Sequence, residues 1–156
     1  MTQQLTPEKI RAEVERFWKA FTSKSTELQE FYSFDANVFG SMATRPELGR
    51  LAAVRREREY FHADTTVTAS VTSPVDVMVF GNVAVAIYTL ECHVTNARVG
   101  IGRKADENIK VGRVTQVFAI EPDGELRIVH EHISEPNEWA IDARAQASRT
   151  SAAPKR

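Results

Sequence analysis

The spacing of hydrophobic residues changes once along this chain, and that change decides the fold class. Up to Ala63 apolar side chains recur every three to four residues, as on one face of a helix; beyond it they recur every second residue, as on one face of a strand. In the first part Ile10, Val14, Phe17, Trp18 and Phe21 form one broad stripe, with Arg11, Glu13, Glu15, Arg16 and Lys19 mostly off it. Thr6 suits a helix cap, Pro7 the first helical position and Glu8 the positive end of the helix dipole. Thr22-Ser23-Lys24-Ser25 breaks the pattern, and a short second helix is predicted over about 26–32 with Leu28, Phe31 and Tyr32 inward. Phe34, Val38 and Phe39 read as a short extended segment ending at Gly40. A third helix is predicted from near Pro46 to near Phe61, with Leu48, Leu51, Val54, Arg55 and Tyr60 roughly at helical spacing. The run Arg55-Arg56-Glu57-Arg58-Glu59 alternates in sign, so it reads as a solvated helix face rather than a nucleic-acid contact.

After the switch, Val67, Ala69 and Val71 alternate with polar residues, Pro74 interrupts, and Val75, Val77 and Val79 resume. Gly81-Asn82 is a tight-turn signal before a long strand over about 83–94. A loop over about 100–107, a strand over about 110–120, the turn Pro122-Asp123-Gly124 and a last strand over about 125–134 follow. Three helices and then consecutive antiparallel strands make an α+β domain whose sheet bends around the first helix. The composition turns Ala-, Ser- and Arg-rich after Trp139, so the folded domain is expected over residues 6–136 and residues 137–156 as a frayed or disordered tail.

Composition sets the outer limits. A chain of 156 residues, 42% of them hydrophobic, is one domain's worth and buries about two-thirds of its unfolded surface without staples. Twenty basic and 21 acidic side chains leave a net charge of −1, so neither nucleic acid nor an anionic membrane is an expected partner, local patches apart. The single cysteine, Cys92, excludes an intramolecular disulfide and any Cys-rich zinc or iron–sulfur site; in its apolar run it reads as a small buried hydrophobe. No apolar stretch approaches the ~20 residues of a membrane span, and residues 1–8 lack the basic start and apolar core of a signal peptide, so a cytoplasmic protein is expected. Gly100-Ile101-Gly102 lacks the third glycine of a dinucleotide fingerprint, and no phosphate loop or Ser–His–Asp spacing is present; no cofactor is expected.

Candidate chemistry gathers on the predicted strands. His130 and His132 share a face with Leu126 and Ile128, which makes the histidine face the covered one and the pair a candidate acid–base couple. A metal site would need a third ligand that no spacing marks, so none is expected; bracing of the sheet or of a subunit contact is the bland alternative. One bulge would reverse the parity and bring Glu131 inward instead, with Val129 and Ile133. Desolvation of that kind is how a carboxyl becomes a general acid or base, so Glu131 stands as the alternative. On the preceding strand Val114, Gln116, Phe118 and Ile120 share a face on which Gln116 alone is polar, suited to orienting a carbonyl or hydroxyl. On the long strand Ala84, Ala86, Tyr88, Leu90 and Cys92 share a face, where the Tyr88 hydroxyl is a hydrogen-bond donor. Trp18, Tyr32 and Tyr60 complete the aromatic candidates. The pocket lining is thus expected from Tyr88, Gln116, Trp18, Tyr32, Tyr60, Phe118 and Leu90.

Three segments carry a family resemblance. Gly112-Arg113-Val114-Thr115-Gln116-Val117-Phe118, then Asp123-Gly124, then Ile128-Val129-His130-Glu131-His132-Ile133-Ser134-Glu135-Pro136 resemble the final hairpin of the SnoaL-like branch of the nuclear transport factor two-like superfamily. The same hairpin is similar to that of the calcium/calmodulin-dependent kinase association domain. Phe31-Tyr32 with Asp35-Ala36-Asn37-Val38, and Phe80-Gly81-Asn82-Val83-Ala84, fit too, so the resemblance covers roughly residues 8–136. It implies a cone-shaped barrel: a strongly curved antiparallel or mixed sheet wrapped around three N-terminal helices, with a pocket at the mouth and a homodimer through the sheet. Some members are isomerases, dehydratases, epoxide hydrolases or polyketide cyclases; others bind ligands or assemble larger proteins. Ketosteroid-isomerase relatives use a first-helix tyrosine and a later aspartate where this chain has Phe17 and Gly40, so their proton shuttle is not implied. The expected function is binding of a small, mostly apolar molecule, with cofactor-independent acid–base chemistry; the alternative is a non-catalytic dimerisation, assembly or ligand-binding module.

Overall fold

Helix α1 (Pro7–Thr22) starts where its cap demands: Thr6 is extended and its hydroxyl accepts the Lys9 N–H at 3.3 Å. The stripe Ile10, Val14, Phe17, Trp18 and Phe21 is buried along its length. The structure, a computed structural model, describes residues 4–40, 44–58, 64–96 and 106–136. After α1 a 3-10 helix, Thr26–Phe31, is capped by the Ser25 hydroxyl and buries Leu28 and Phe31. The Phe17 ring is the hub of this layer, meeting Trp18, Phe31 and Tyr32 edge-on with centroids 4.8, 5.5 and 5.7 Å away.

Strands β1 (Tyr32–Phe39) and β2 (Glu47–Leu48) precede helix α2 (Arg50–Arg58). The helix predicted from Pro46 therefore starts later. Gly49 adopts φ +88, outside the helical path, and Leu48 is held opposite Asn37 of β1. Residues 59–61, where that prediction ended, lie outside the described residues.

Then come β3 (Thr65–Val71), β4 (Asp76–Phe80), β5 (Val83–Asn96), β6 (Asp106–Ile120) and β7 (Leu126–Ser134). They form one seven-stranded mixed sheet in the order β2-β1-β7-β6-β5-β3, with β4 also on β5. β1 runs parallel to β7; the remaining pairs are antiparallel. Ser73 marks the corner between β3 and β4, where its hydroxyl accepts the Thr89 N–H at 2.9 Å. Among the described residues the sheet ends at β2 and β3 without closing, so the expected barrel is an open, helix-covered sheet. Period-two alternation holds on the inner face: Ala84, Ala86, Tyr88 and Leu90 of β5, and Val114, Gln116 and Phe118 of β6, are all buried. Cys92, expected to be buried, is half-buried. β6 begins at Asp106, before the predicted residue 110, while residues 97–105 and the expected tail 137–156 lie outside the described residues. No helix among the described residues is long and apolar enough to cross a membrane.

Candidate functional site

The inner face of β7 is set by one extra residue. Val117 of β6 pairs with His130 and Phe118 with Ile128, so Val129 has no partner and forms a bulge. Ile128 and Glu131, three positions apart, consequently both turn inward, and each is 0% exposed. The expectation that the histidines lie on the covered face is corrected by this bulge. His132 is exposed, with its ring 5.8 Å from that of Phe39, and His130 is half-buried beside Val117 on the outer face. Among the described residues no group of three or more His, Cys, Asp or Glu side chains is placed to hold a metal ion.

Glu131 sits at the end of a buried chain of side-chain hydrogen bonds drawn from separate elements. The Trp18 Nε1–H of α1 donates to the Tyr88 hydroxyl of β5 at 2.8 Å. Tyr88 donates to Gln116 Oε1 of β6 at 2.8 Å. Gln116 Nε2 donates to Glu131 Oε2 at 2.7 Å, and the Tyr32 hydroxyl of β1 donates to Glu131 Oε1 at 3.2 Å. The direction is fixed from its far end. An indole N–H only donates, so the Tyr88 oxygen accepts and its proton turns to the Gln116 carbonyl, leaving the amide N–H for Glu131. Both carboxylate oxygens thus receive donors from neutral side chains.

Each member is positioned by its strand. Gln116 faces Ala86 on one side and Glu131 on the other in the β5–β6–β7 ladder. Tyr32 is held at its backbone, where its carbonyl accepts the Arg50 Nε–H of α2 at 2.8 Å. Nothing in the sequence singled Arg50 out. Phe118 and Leu90 are buried on the same inner face, 0% and 5% exposed. Tyr60 lies outside the described residues. Of the expected lining residues, Trp18, Tyr32, Tyr88 and Gln116 are joined to Glu131; the catalytic candidates His130 and His132 are not. No local signal links Trp18 to Tyr88, 70 positions on, or Tyr32 to Glu131, 99 positions on.

A second polar cluster closes the hairpin that carries Glu131. Arg127 Nη1 lies 2.6 Å from Glu121 Oε2 and 2.7 Å from Asp123 Oδ2, and the Ser33 hydroxyl ties Glu121 to β1. The Glu125 backbone N–H, and then Arg127, hold the Asp123 carboxyl below its ordinary value of 3.8. Beside the buried chain, Glu15, Trp18, Lys19, Thr22, Ser23, Ala69 and Val71 line a surface groove between α1 and β3. Trp18 belongs to both.

No protein-family model matches the chain, and no curated protein sequence does. Solved structures share its fold. An NTF2-like superfamily protein from Salmonella enterica superposes with a TM-score of 0.69 at 21% identity, covering 84% of this chain and 91% of that one. A provisionally assigned dehydratase of the NTF2-like family from Streptomyces avermitilis gives 0.70 at 17%, covering 83% and 96%. The β subunit of benzoate 1,2-dioxygenase from Burkholderia mallei gives 0.68 at 15%, covering 90% and 97%. The fold is NTF2-like.

Proposed function

We propose that this NTF2-like chain binds a small, mostly apolar molecule at the inner face of its sheet, and that Glu131 exchanges a proton with it. The observation that carries the reading is the buried hydrogen-bond chain from Trp18 through Tyr88 and Gln116 to a carboxylate with 0% exposure. An interior built for stability alone gains more from apolar side chains, because burying a carboxylate costs free energy that hydrogen bonds only partly return. Glu131 is the acid or base. Tyr32 and Gln116 fix its two oxygens, and Tyr88 and Trp18 fix the Gln116 amide. Phe118, Leu90 and Val114 supply the apolar wall. The reaction class that needs only these groups is cofactor-independent isomerisation, cyclisation, dehydration or hydrolysis. The resemblance of the hairpin sequence to SnoaL-like domains and the dehydratase assignment of one structural neighbour support this class.

The working unit in this proposal is a homodimer through the outer sheet face, where Ile87, Ile109 and Val111 are exposed. His130 and His132 belong to that face. The same exposed residues favour a second reading, a non-catalytic assembly or ligand-binding module in which the buried chain only braces the core.

The two readings separate by NMR in deuterated water with a panel of neutral cyclic ketones and hydroxyketones. The native chain incorporates deuterium or converts a panel member, and Glu131→Gln, with its circular dichroism unchanged, does not. Equal turnover by the variant overturns the role of Glu131. Ligand binding without turnover supports the second reading.

A further inference from the structure

One corner of the molecule exposes three large apolar side chains: Phe34 is 76% exposed, Leu48 69% and Leu51 77%. Scattered exposed leucines need no explanation, but these three are gathered by the backbone. Leu48 of β2 lies opposite Asn37 of β1. The next residue, Gly49, donates its N–H to the Ala36 carbonyl at 2.7 Å and lies beside β1, where a Cβ would be in ordinary contact, 3.5 Å, with the Phe34 carbonyl oxygen. Leu51 stands two residues further on, in the first turn of α2.

The same helix adds charge. α2 buries Ala53 and Val54, which turns Leu51, Arg55 and Arg58, at spacings of four and three, onto its exposed face. Arg45, just before β2, is exposed as well. Among the described residues Arg45, Arg55 and Arg58 make no side-chain ion pair, whereas Arg11 and Arg16 each make one and Arg127 makes two. Among the described residues the carboxylates beside this surface are Asp35, exposed, and Glu47 of β2, half-buried. Counted over the described side chains this corner is both apolar and cationic, which a net charge of −1 over the whole chain conceals.

We infer that this corner is a peripheral docking surface for an anionic lipid bilayer, with Phe34, Leu48 and Leu51 entering the headgroup–acyl boundary and Arg45, Arg55 and Arg58 meeting lipid phosphates. Two features favour lipid over a protein partner. Side chains about three-quarters exposed protrude as separate knobs, which a soft boundary admits without matching pockets. Guanidinium groups left without carboxylate partners match phosphate oxygens in two-pronged geometry. A helix of nine residues with one leucine on its outer face is no anchor by itself, so the contact is reversible and depends on salt. This inference is independent of the Glu131 reading.

The test is co-sedimentation of the full chain with phosphatidylcholine vesicles, with and without phosphatidylglycerol, at low and high salt. The native chain binds the anionic vesicles about tenfold more tightly than the neutral ones, and added salt weakens that binding. Phe34→Ser/Leu48→Ser/Leu51→Ser and, separately, Arg45→Gln/Arg55→Gln/Arg58→Gln each reduce the binding about tenfold or more. Both sets change exposed side chains only, and a thermal melt verifies the fold; the arginine set serves if the apolar set fails to fold. No binding to anionic vesicles, or binding that neither set weakens, overturns the inference. So does a change of oligomeric state on the apolar substitutions with vesicle binding intact, which would assign the corner to a second copy of this chain.

Discussion

Glu131 has no exposure and receives the Gln116 amide and the Tyr32 hydroxyl, so its effect on stability runs through what its neighbours lose when it changes. Replacing it by leucine strands two buried donors, and urea unfolding should show a loss of about 2–4 kcal/mol. Glu131→Gln keeps the shape but points an N–H at one of those donors, and the loss should be about 1–3 kcal/mol. Trp18→Phe keeps the edge-on ring packing with Phe17 and removes only the donor to Tyr88; about 1 kcal/mol should be lost, with ligand response reduced because the Gln116 amide is no longer oriented from behind. These residues were legible one at a time. Gln116 stood out as the lone polar member of its row, and Tyr88 and Trp18 as polar-tipped aromatics. Their joining was not legible, because each link crosses between elements far apart in sequence.

At the scale of elements, α1 was readable down to its cap because Thr6, Pro7, Glu8 and the apolar stripe all agree. β7 was not. A bulge at Val129 leaves the composition of the strand unchanged while exchanging its faces, and the alternation of 126–134 fits either parity. Deleting Val129 should restore regular pairing with Ile128 and Glu131, now two positions apart, both still inward and the histidines still outward, so the Glu131-dependent ligand response should survive and urea unfolding should show a far smaller loss than Glu131→Leu. The turn before β7 has its own pH signature. Asp123 is held below 3.8 in the folded chain, so its contribution is fully present above that value and is lost as pH falls through the lower folded one. Acid unfolding followed at several pH values should therefore show a destabilising step below pH 3.8 that Asp123→Asn removes. The third helix was read too early for a backbone reason: Gly49, at positive φ, separates the Leu48 pairing from α2.

For the molecule as a whole, the change of hydrophobic period was enough to foresee helices packed on a sheet. It was not enough to foresee that the sheet stays open or that β1 joins β7 in parallel, since pairing partners leave no trace in a period. The proposed homodimer follows from the outer face. Ile87→Glu or Val111→Glu should shift the mass in sedimentation equilibrium from dimer to monomer, while the inner-face chain of hydrogen bonds stays intact. A monomeric native chain would contradict that assembly without touching the inner-face proposal. The central claim is that the inner face binds a small molecule against Glu131, and Trp18 offers a direct report on it. The chain has two tryptophans, so Trp139→Phe leaves Trp18 as the single emitter, hydrogen-bonded to Tyr88 within the array. Titrating that protein with the panel of neutral cyclic ketones and hydroxyketones should give, for at least one compound, a saturable change in Trp18 emission that Glu131→Gln abolishes. No saturable change across the panel, or a change that survives Glu131→Gln undiminished, would contradict the account.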